Sequence, residues 1–188
     1  MLMNRRQACF GAAALMSVGT SAVARPHYDK APGHLVGAGD IRRLRMYSGR
    51  TGERLDTIYW IEGDYIREAV EEINLFMRDW RNNQVKAIDL RALDIMTAAH
   101  NLLDTAEPYL LISGYRSPET NAMLRRRSSG VAKNSRHLRG EAADLRLSSR
   151  SVSEMARAAM SCRAGGVGRY TSSNFVHMDC GPVRSWGR

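Results

Sequence analysis

The sequence predicts an α+β fold in which a small antiparallel sheet packs against helices. Three observations predict it: short β-prone runs flank turn-forming glycines, longer segments repeat apolar residues at helical spacing, and the second half alternates strands with capped helices. Of the 188 residues, 44% are hydrophobic and 25% are charged, which is ordinary usage for a globular protein. This length favours one domain with a core of its own and excludes a multidomain machine.

The first half predicts a hairpin followed by two helices. Residues 43–48 and 57–62 are rich in β-prone side chains, and the turn-forming run 49–52 lies between them. Residues 65–80 and 90–103 repeat apolar side chains every three or four positions, which is the period of a helix with one buried face. We expect these two helices to form the core.

The second half opens with a predicted strand at 109–113. Ser117 is a favourable N-cap and Pro118 a favourable first helical residue, so a helix is expected to begin at Pro118. Residues 125–139 are strongly basic and predict an exposed loop. A further strand is expected at 142–147, directly after this loop.

The last part of the chain predicts one more helix and a hairpin. Ser151 and Glu154 have the spacing of a capping box, so a helix is expected from there to about residue 161. Residues 166–170 and 174–179 predict two strands joined by a short turn. Strands and helices therefore alternate through the second half.

Residues 1–24 have the organisation of a cleavable signal peptide, with a short basic start, an uncharged apolar stretch and small residues at the end. The pair Arg5–Arg6 fits the twin-arginine route, and the sequence leaves this route and ordinary secretion open. Residues 25–39 predict an extended leader, and residues 40–188 a single domain. The apolar stretch is too short to span a bilayer. The sequence thus predicts a protein exported to the periplasm, without a transmembrane span.

The charge of the chain indicates its kind of partner. The formal net charge is +9, and removal of residues 1–24 lowers it to +7 because two arginines and no acid are lost. A basic protein favours polyanionic partners. Export argues against nucleic acid, for which the chain also carries no recognition motif, and favours a wall polymer with peptide carboxylates.

Cysteine usage fits an oxidising compartment. Cys9 lies in the predicted signal peptide, which leaves Cys162 and Cys180 as an even pair. A disulfide between them would connect the last predicted helix to the last predicted strand. Two separate buried thiols are the alternative, and the sequence leaves both open.

Metal-ligating side chains are concentrated in the second half. Alternate residues of a strand share a face, so Asp144 lies on a face with the small Ala142, and His177 on a face with Asp179. If these two strands are neighbours, Asp144 and His177 converge, and His137 on the preceding loop completes a set of three. Two histidines and one carboxylate suit catalytic zinc, which keeps a fourth position for water. A His–Asp hydrogen bond within the sheet is the alternative.

Arg116 lies at the turn between the strand 109–113 and the following helix. Side chains at such turns project over the end of a sheet, where a charge can orient a ligand. Because the chain has 28 lysines and arginines, a solvated arginine is the alternative.

Three spaced motifs carry a resemblance to a known family. They are Ser-Gly-Tyr-Arg-Ser-Pro at 113–118, Ser-x-His-x-x-Gly-x-Ala-x-Asp at 135–144 and Phe-Val-His-Met-Asp-Cys-Gly-Pro at 175–182. Together they resemble the zinc D,D-peptidase superfamily, which includes D-alanyl-D-alanine carboxypeptidases and dipeptidases and the hedgehog signalling domain. Within it, residues 76–81, 88–90 and 181–186 resemble the murein endopeptidase K branch.

The resemblance implies a D,D-peptidase/hedgehog-like fold and one zinc ion, held by His137, Asp144 and His177. It also implies that Arg116 contacts the substrate carbonyl and stabilises the oxyanion. The implied activity is that of a zinc-dependent murein endopeptidase, which hydrolyses peptide crosslinks in peptidoglycan with a zinc-activated water. A D,D- or L,D-carboxypeptidase on wall peptides and a noncatalytic zinc-containing wall-binding module are the alternatives.

The general base is the point at which the sequence departs from several members of that superfamily. They carry Glu or His just before the last zinc-binding histidine, whereas this chain has Asn174 and Phe175 there. Neither side chain can take up a proton, so Asp179 is the candidate base. Its alternative role is to hydrogen-bond a ligand histidine or a backbone amide. Glu141 is a second candidate.

Overall fold

The computed structural model describes residues 35–187, which form four α-helices and one sheet of eight strands. The strands are β1 (Ile41–Tyr47), β2 (Arg54–Ile61), β3 (Asp64–Tyr65), β4 (Tyr109–Ser113), β5 (Ala142–Arg146), β6 (Gly166–Tyr170), β7 (Phe175–Asp179) and β8 (Arg184–Gly187). The helices are α1 (Arg67–Phe76), α2 (Leu90–Leu102), α3 (Pro118–Arg127) and α4 (Val152–Ser161), and a 3-10 helix covers Arg136–Arg139. The predicted signal peptide, Cys9 and residues 25–34 of the predicted leader lie outside the described residues.

The sheet has the order β3-β2-β1-β4-β5-β7-β6-β8. Its pairs are antiparallel except β1 with β4 and β6 with β8, which run parallel. Parallel neighbours need a long crossover, and the β1–β4 crossover contains both α1 and α2. The predicted α+β class is confirmed. The sheet has more strands than predicted, since β3 and β8 are too short to give a strand pattern, and it is mixed because of the two parallel pairs.

The predicted helix at 65–80 is shorter in the structure, where α1 ends at Phe76. The chain turns after Met77 because the buried carboxylate of Asp79 accepts hydrogen bonds from the main-chain N–H groups of Arg81 (3.2 Å) and Ser117 (2.9 Å). Aspartate can offer the backbone such an alternative to helical hydrogen bonds. The hydrogen bond from Ser117 to Asp79 also fixes the start of α3 against the turn that follows α1.

The predicted starts of α3 and α4 agree with the structure. The Ser117 hydroxyl accepts from the N–H of Thr120 at 3.1 Å, with Pro118 as the first helical residue. Ser151 and Glu154 form the predicted capping box at the start of α4. These caps satisfy amide groups that have no partner within the helix.

Helices α1, α2 and α4 pack against the sheet, and α2 and α4 cover the face that carries the hydrophobic core. Tyr109 and Leu145 are fully buried on the covered face, and Val176 of β7 is equally buried there. Because side chains alternate along a strand, their neighbours Asp144 and His177 project from the opposite face. The hydrophobic core therefore lies behind the sheet, and the polar residues of interest lie in front of it.

Residues near the described N-terminus and the two cysteines also pack into this structure. Ala38 is 2% exposed, and the Asn101 side chain of α2 donates to the carbonyl of Gly37, so the packed region begins before residue 40. Cys162 and Cys180 are buried and not bonded to each other, and burial raises the pKa of the Cys162 thiol to about 11.

Within residues 35–187, no helix has both the length and the apolar character needed to cross a bilayer.

A buried ion pair connects α2 to the first hairpin. The guanidinium of Arg42 lies 2.7 Å from the Asp94 carboxylate, and both side chains are at most 5% exposed. The hydroxyls of Tyr59 (3.0 Å) and Tyr65 (2.6 Å) donate to the same carboxylate. Arg42 also lies over the Trp60 ring, 4.0 Å from its centroid. Removal of one partner from such a network leaves the other charge buried without compensation.

We therefore expect Asp94→Ala to lower the free energy of unfolding by about 3–5 kcal/mol. Asp56→Ala is the matched control, because its partner Arg43 is half exposed and exposed ion pairs contribute at most about 1 kcal/mol. Urea unfolding followed by circular dichroism measures both. Equal losses in the two variants would contradict the role of the buried network.

Candidate metal centre

Strands β5 and β7 bring the first two candidate ligands together. Asp144 and His177 are direct partners in the antiparallel register of these strands. The Nδ1 atom of His177 lies 2.9 Å from Oδ1 of Asp144. The predicted adjacency of the two strands is thus present in the structure, at the residues that matter.

The third candidate, His137, is supplied by the 3-10 helix that precedes β5. This helix ends at Gly140, whose φ of +73° lies in the left-handed region, which glycine adopts without cost. A Cβ atom at Gly140 would lie 2.4 Å from the carbonyl oxygen of Ala87. The glycine in the motif therefore permits both the turn into β5 and close packing beneath it.

Three ligand atoms meet at one point in front of the sheet. Nε2 of His137 lies 3.3 Å from Oδ1 of Asp144 and 3.2 Å from Nδ1 of His177, and the third edge of the triangle is the 2.9 Å contact given above. A tetrahedral ion with ligand distances of about 2.0–2.2 Å has ligand atoms roughly 3.3–3.6 Å apart. The triangle therefore has nearly the dimensions that one small ion requires.

The hydrogen bonds behind each imidazole fix which nitrogen faces the triangle. Nδ1 of His137 lies 2.7 Å from the carbonyl oxygen of Gly114, and Nε2 of His177 lies 3.1 Å from Oδ2 of Asp179. Both oxygens can only accept, so these outer nitrogens carry the hydrogens. In the neutral rings, the inner nitrogens present lone pairs toward Asp144, as in metal-bound histidines with an oriented outer nitrogen.

The electrostatics of the centre favour a positive charge at this point. Burial alone would raise the pKa of Asp144, but the two histidines hold it far below its usual range. Burial lowers the pKa of His177, but hydrogen bonds with Asp144 and Asp179 outweigh burial and raise it to about 9. Three electron-pair donors around one small space are stabilised by a shared cation. The residues present thus fit a metal ion.

Asp179 and Glu141, the two candidate bases, are both engaged in ion pairs. Asp179 is fully buried, and its carboxylate lies 2.7 Å from the guanidinium of Arg184 and 3.3 Å from that of Arg136. Burial would raise the pKa of Asp179, but its hydrogen bonds with His177 and Arg184 hold it well below its usual range. Glu141 is paired with Arg136 at 2.6 Å. This geometry favours the alternative role of Asp179, which is to orient His177.

Arg116 lies beside the metal centre, at the predicted turn from β4 into α3. Its guanidinium is 3.8 Å from Oδ2 of Asp144, and its side chain is only 11% exposed. Weak hydrogen bonds to Ser113 (3.3 Å) and Asn121 (3.4 Å) hold it in this position. Arg116 is therefore a largely buried arginine that faces the centre, and the alternative of a solvated side chain is wrong.

A cavity of about 600 Å³ opens over the three candidate ligands. Part of its wall is formed by residues to which the sequence assigned no role in the site, namely Tyr170, Phe175, Arg184 and Trp186. The Trp186 ring lies 5.3 Å from that of His177 and donates from Nε1 to the Tyr170 hydroxyl. It packs directly over Gly168, where a Cβ would come within 2.7 Å of the ring.

Sequence reasoning missed Arg184 and Trp186 because β8 was not predicted, whereas Tyr170 and Phe175 lie on predicted strands. Gly168 pairs with His177 on one side and with Trp186 on the other, so Trp186 reaches the centre only through the parallel pairing of β8 with β6. The one available signal was the similarity of the ending 181–186 to a known branch. That similarity gives no position for the ring.

Comparison with known proteins agrees with this geometry. A profile of the family described as peptidoglycan L,D-endopeptidase MepK matches residues 36–186. The peptidoglycan L,D-endopeptidase MepK of Escherichia coli (strain K12) is 45% identical over 145 residues, which cover 77% of this chain and 80% of that protein. The probable peptidoglycan L,D-endopeptidase MepK of Haemophilus influenzae is 40% identical over 146 residues, 77% of this chain and 78% of that protein.

The matched region contains the four helices, all eight strands except the last residue of β8, and the three candidate metal ligands. The resemblance to zinc D,D-peptidases that the three motifs carry is thereby confirmed. The family profile covers most of the chain, and both relatives are at least 40% identical to it over more than three quarters of its length. The chain therefore belongs to the peptidoglycan L,D-endopeptidase MepK family of M15 peptidases.

Proposed function

We propose that this protein is a zinc-dependent murein endopeptidase that hydrolyses peptide crosslinks in peptidoglycan. The observation that carries the proposal is the triangle of His137, Asp144 and His177 at the floor of an open cavity. The relatives are named endopeptidases, which favours this activity over that of a carboxypeptidase or a noncatalytic wall-binding module.

Two nitrogens and one carboxylate oxygen are the donor set of catalytic zinc sites, and their number leaves a position for water. A zinc ion held there would lower the pKa of that water toward about 7 and polarise the scissile carbonyl. His137 and His177 have a fixed tautomer through Gly114 and Asp179, so the donor atoms are already oriented before the ion binds. Such preorganisation is what a second layer of hydrogen bonds provides.

Arg116 is the residue that we assign to the oxyanion. Its charge lies next to Asp144 and faces the cavity, where a substrate carbonyl would approach the metal centre. A fixed positive group at this place would stabilise the negative charge that develops on the carbonyl oxygen. Ser113 and Asn121 hold the guanidinium in place before the substrate binds.

We propose further that the protein acts in the periplasm after export through residues 1–24, and that its basic surface favours the wall peptides. Among the described residues that line the cavity, four are arginines and one, Asp144, is an acid. The arginines are Arg116, Arg136, Arg139 and Arg184. Carboxylates of crosslinked wall peptides would be attracted to such a surface. The chain carries no recognition motif for nucleic acid.

Replacement of His137 tests the metal. We expect His137→Ala to lose both bound zinc and the conversion of crosslinked muropeptide dimers to monomers, because two donors remain where zinc needs three from the protein. Zinc content by atomic absorption and product masses measure the two losses. The wild-type protein should lose activity with chelator and regain it with added zinc. Zinc retained at the wild-type amount in a folded His137→Ala variant would contradict the proposed ligand set.

Replacement of Arg116 tests the oxyanion role. We expect Arg116→Ala to lower kcat about 10²–10³-fold, as removal of an oxyanion donor does, while zinc content stays at the wild-type amount. Arg116→Lys keeps the charge and should retain part of the activity. A rise in KM with kcat unchanged would instead assign Arg116 to uniform substrate binding.

Replacement of Asp179 separates its two candidate roles. If Asp179 orients His177, Asp179→Asn should weaken zinc binding about 10–100-fold, as loss of such an orienting contact does. Its activity at saturating zinc should then stay within about tenfold of wild type. Competition with a chromophoric chelator gives the affinity. Normal zinc affinity with activity lost at saturating zinc would instead identify Asp179 as the base.

A further inference from the structure

A second concavity lies on the same face of the sheet as the metal centre. It has a volume of about 440 Å³. Its lining includes Arg50, Leu110, Ile112, Arg146, Ser173 and Phe175. Phe175 also lines the cavity over the metal centre, so the two concavities meet at this ring. We call the second one the arginine groove.

The strand register explains why the arginine groove adjoins the metal centre. Leu110 of β4 pairs with Arg146 of β5, and Arg146 lies two residues from Asp144 on the same face. Phe175 likewise lies two residues from His177 on β7. Two strand residues span about 6.6 Å. The floor of the groove is therefore the row of side chains next to the candidate ligands.

The groove and the metal cavity extend in opposite directions from strands β5 and β7. In the sheet order, β4 and β1 lie on one side of this pair and β6 and β8 on the other. The metal cavity reaches β8 through Arg184 and Trp186, whereas the groove passes over β4 to Arg50 at the β1–β2 turn. An extended chain bound at the centre thus has a concave surface on both sides.

The charges of the groove are uncompensated. None of the ion pairs among residues 35–187 includes Arg50 or Arg146. Within the described part of the chain, Arg50 lies 5.5 Å from the centroid of the Trp80 ring, and Arg146 donates to the neutral main-chain carbonyls of Ser173 and Asn174. No acid is among the lining residues described. Two positive charges beside the apolar side chains of Leu110, Ile112 and Phe175 suit a chain that carries carboxylates.

Resting on the proposed function, we propose that the arginine groove binds the second peptide arm of a crosslink, and that Arg50 and Arg146 recognise a carboxylate on that arm. An endopeptidase substrate continues on both sides of the scissile bond, whereas a carboxypeptidase substrate ends just beyond it. The groove is therefore a specificity site that favours crosslinked wall peptides over linear ones. Arg50 is the better residue to test, because Arg146 also supports the β6–β7 turn.

The test compares charge reversals on the two faces of the sheet in the zinc-loaded mature protein. We expect Arg50→Glu to raise KM for crosslinked dimers about tenfold, because a carboxylate contact is replaced by repulsion, with kcat within about twofold. Arg50→Lys should rescue most of this loss. Arg157→Glu is the matched control, since Arg157 is exposed on α4, in the helix layer behind the sheet, and its KM should equal that of the wild type.

Each outcome bears on one proposal. An unchanged KM in Arg50→Glu, or an equal rise in Arg157→Glu, would overturn the arginine groove as a binding site, while cleavage by the wild type would still support the endopeptidase. Failure of the wild type to cleave dimers would contradict the proposed function itself. In that case, titration of the wild type and Arg50→Glu with the uncleaved crosslinked dimer still tests the groove, and equal affinities would overturn it.

Discussion

Three electron-pair donors that point into one small space are the constraint on which the rest of the structure depends. Nε2 of His137, Nδ1 of His177 and Oδ1 of Asp144 lie 2.9–3.3 Å apart, and each is turned inward by a hydrogen bond behind it or by its place on a strand. Buried lone pairs in such contact repel one another unless a proton or a cation lies between them. The centre is therefore built for a positive charge, and its donor set suits zinc.

The fold meets this constraint by placing the apolar core on one face of the sheet and the candidate ligands on the other. Helices α2 and α4 bury the apolar side chains of β4, β5 and β7 behind the sheet, which makes the strands rigid. The alternate side chains are then free to carry polar groups in front. Function needs both features, because a catalytic constellation held loosely by about 1 Å loses most of its rate advantage. Asp94 and Arg42 extend the same rigidity to the first hairpin.

Local physics made much of the fold predictable. Ser117 and Ser151 could be identified as caps because their hydroxyls satisfy amides only a few residues away. The α+β class and the strand carrying His177 followed from short periodic patterns. Long-range order could not be predicted in the same way. The end of α1 at Phe76 depends on a hydrogen bond that Asp79 accepts from the N–H of Ser117, 38 residues later. Strand β8 has no sequence pattern of its own and forms by pairing with β6.

For the site, the sequence by itself determined the kinds of ligand and the faces they occupy, because alternation along β5 and β7 is a local property. His137, Asp144 and His177 could be named from their motifs, and Arg116 from its turn. Only the tertiary structure decided that β5 and β7 are neighbours in the register that pairs Asp144 with His177. It also decided that Asp179 contacts both His177 and Arg184, that Trp186 lines the cavity over the metal centre, and that Arg50 lines the arginine groove. These facts depend on strand order and register, which residues far apart in the chain fix only when they pack together.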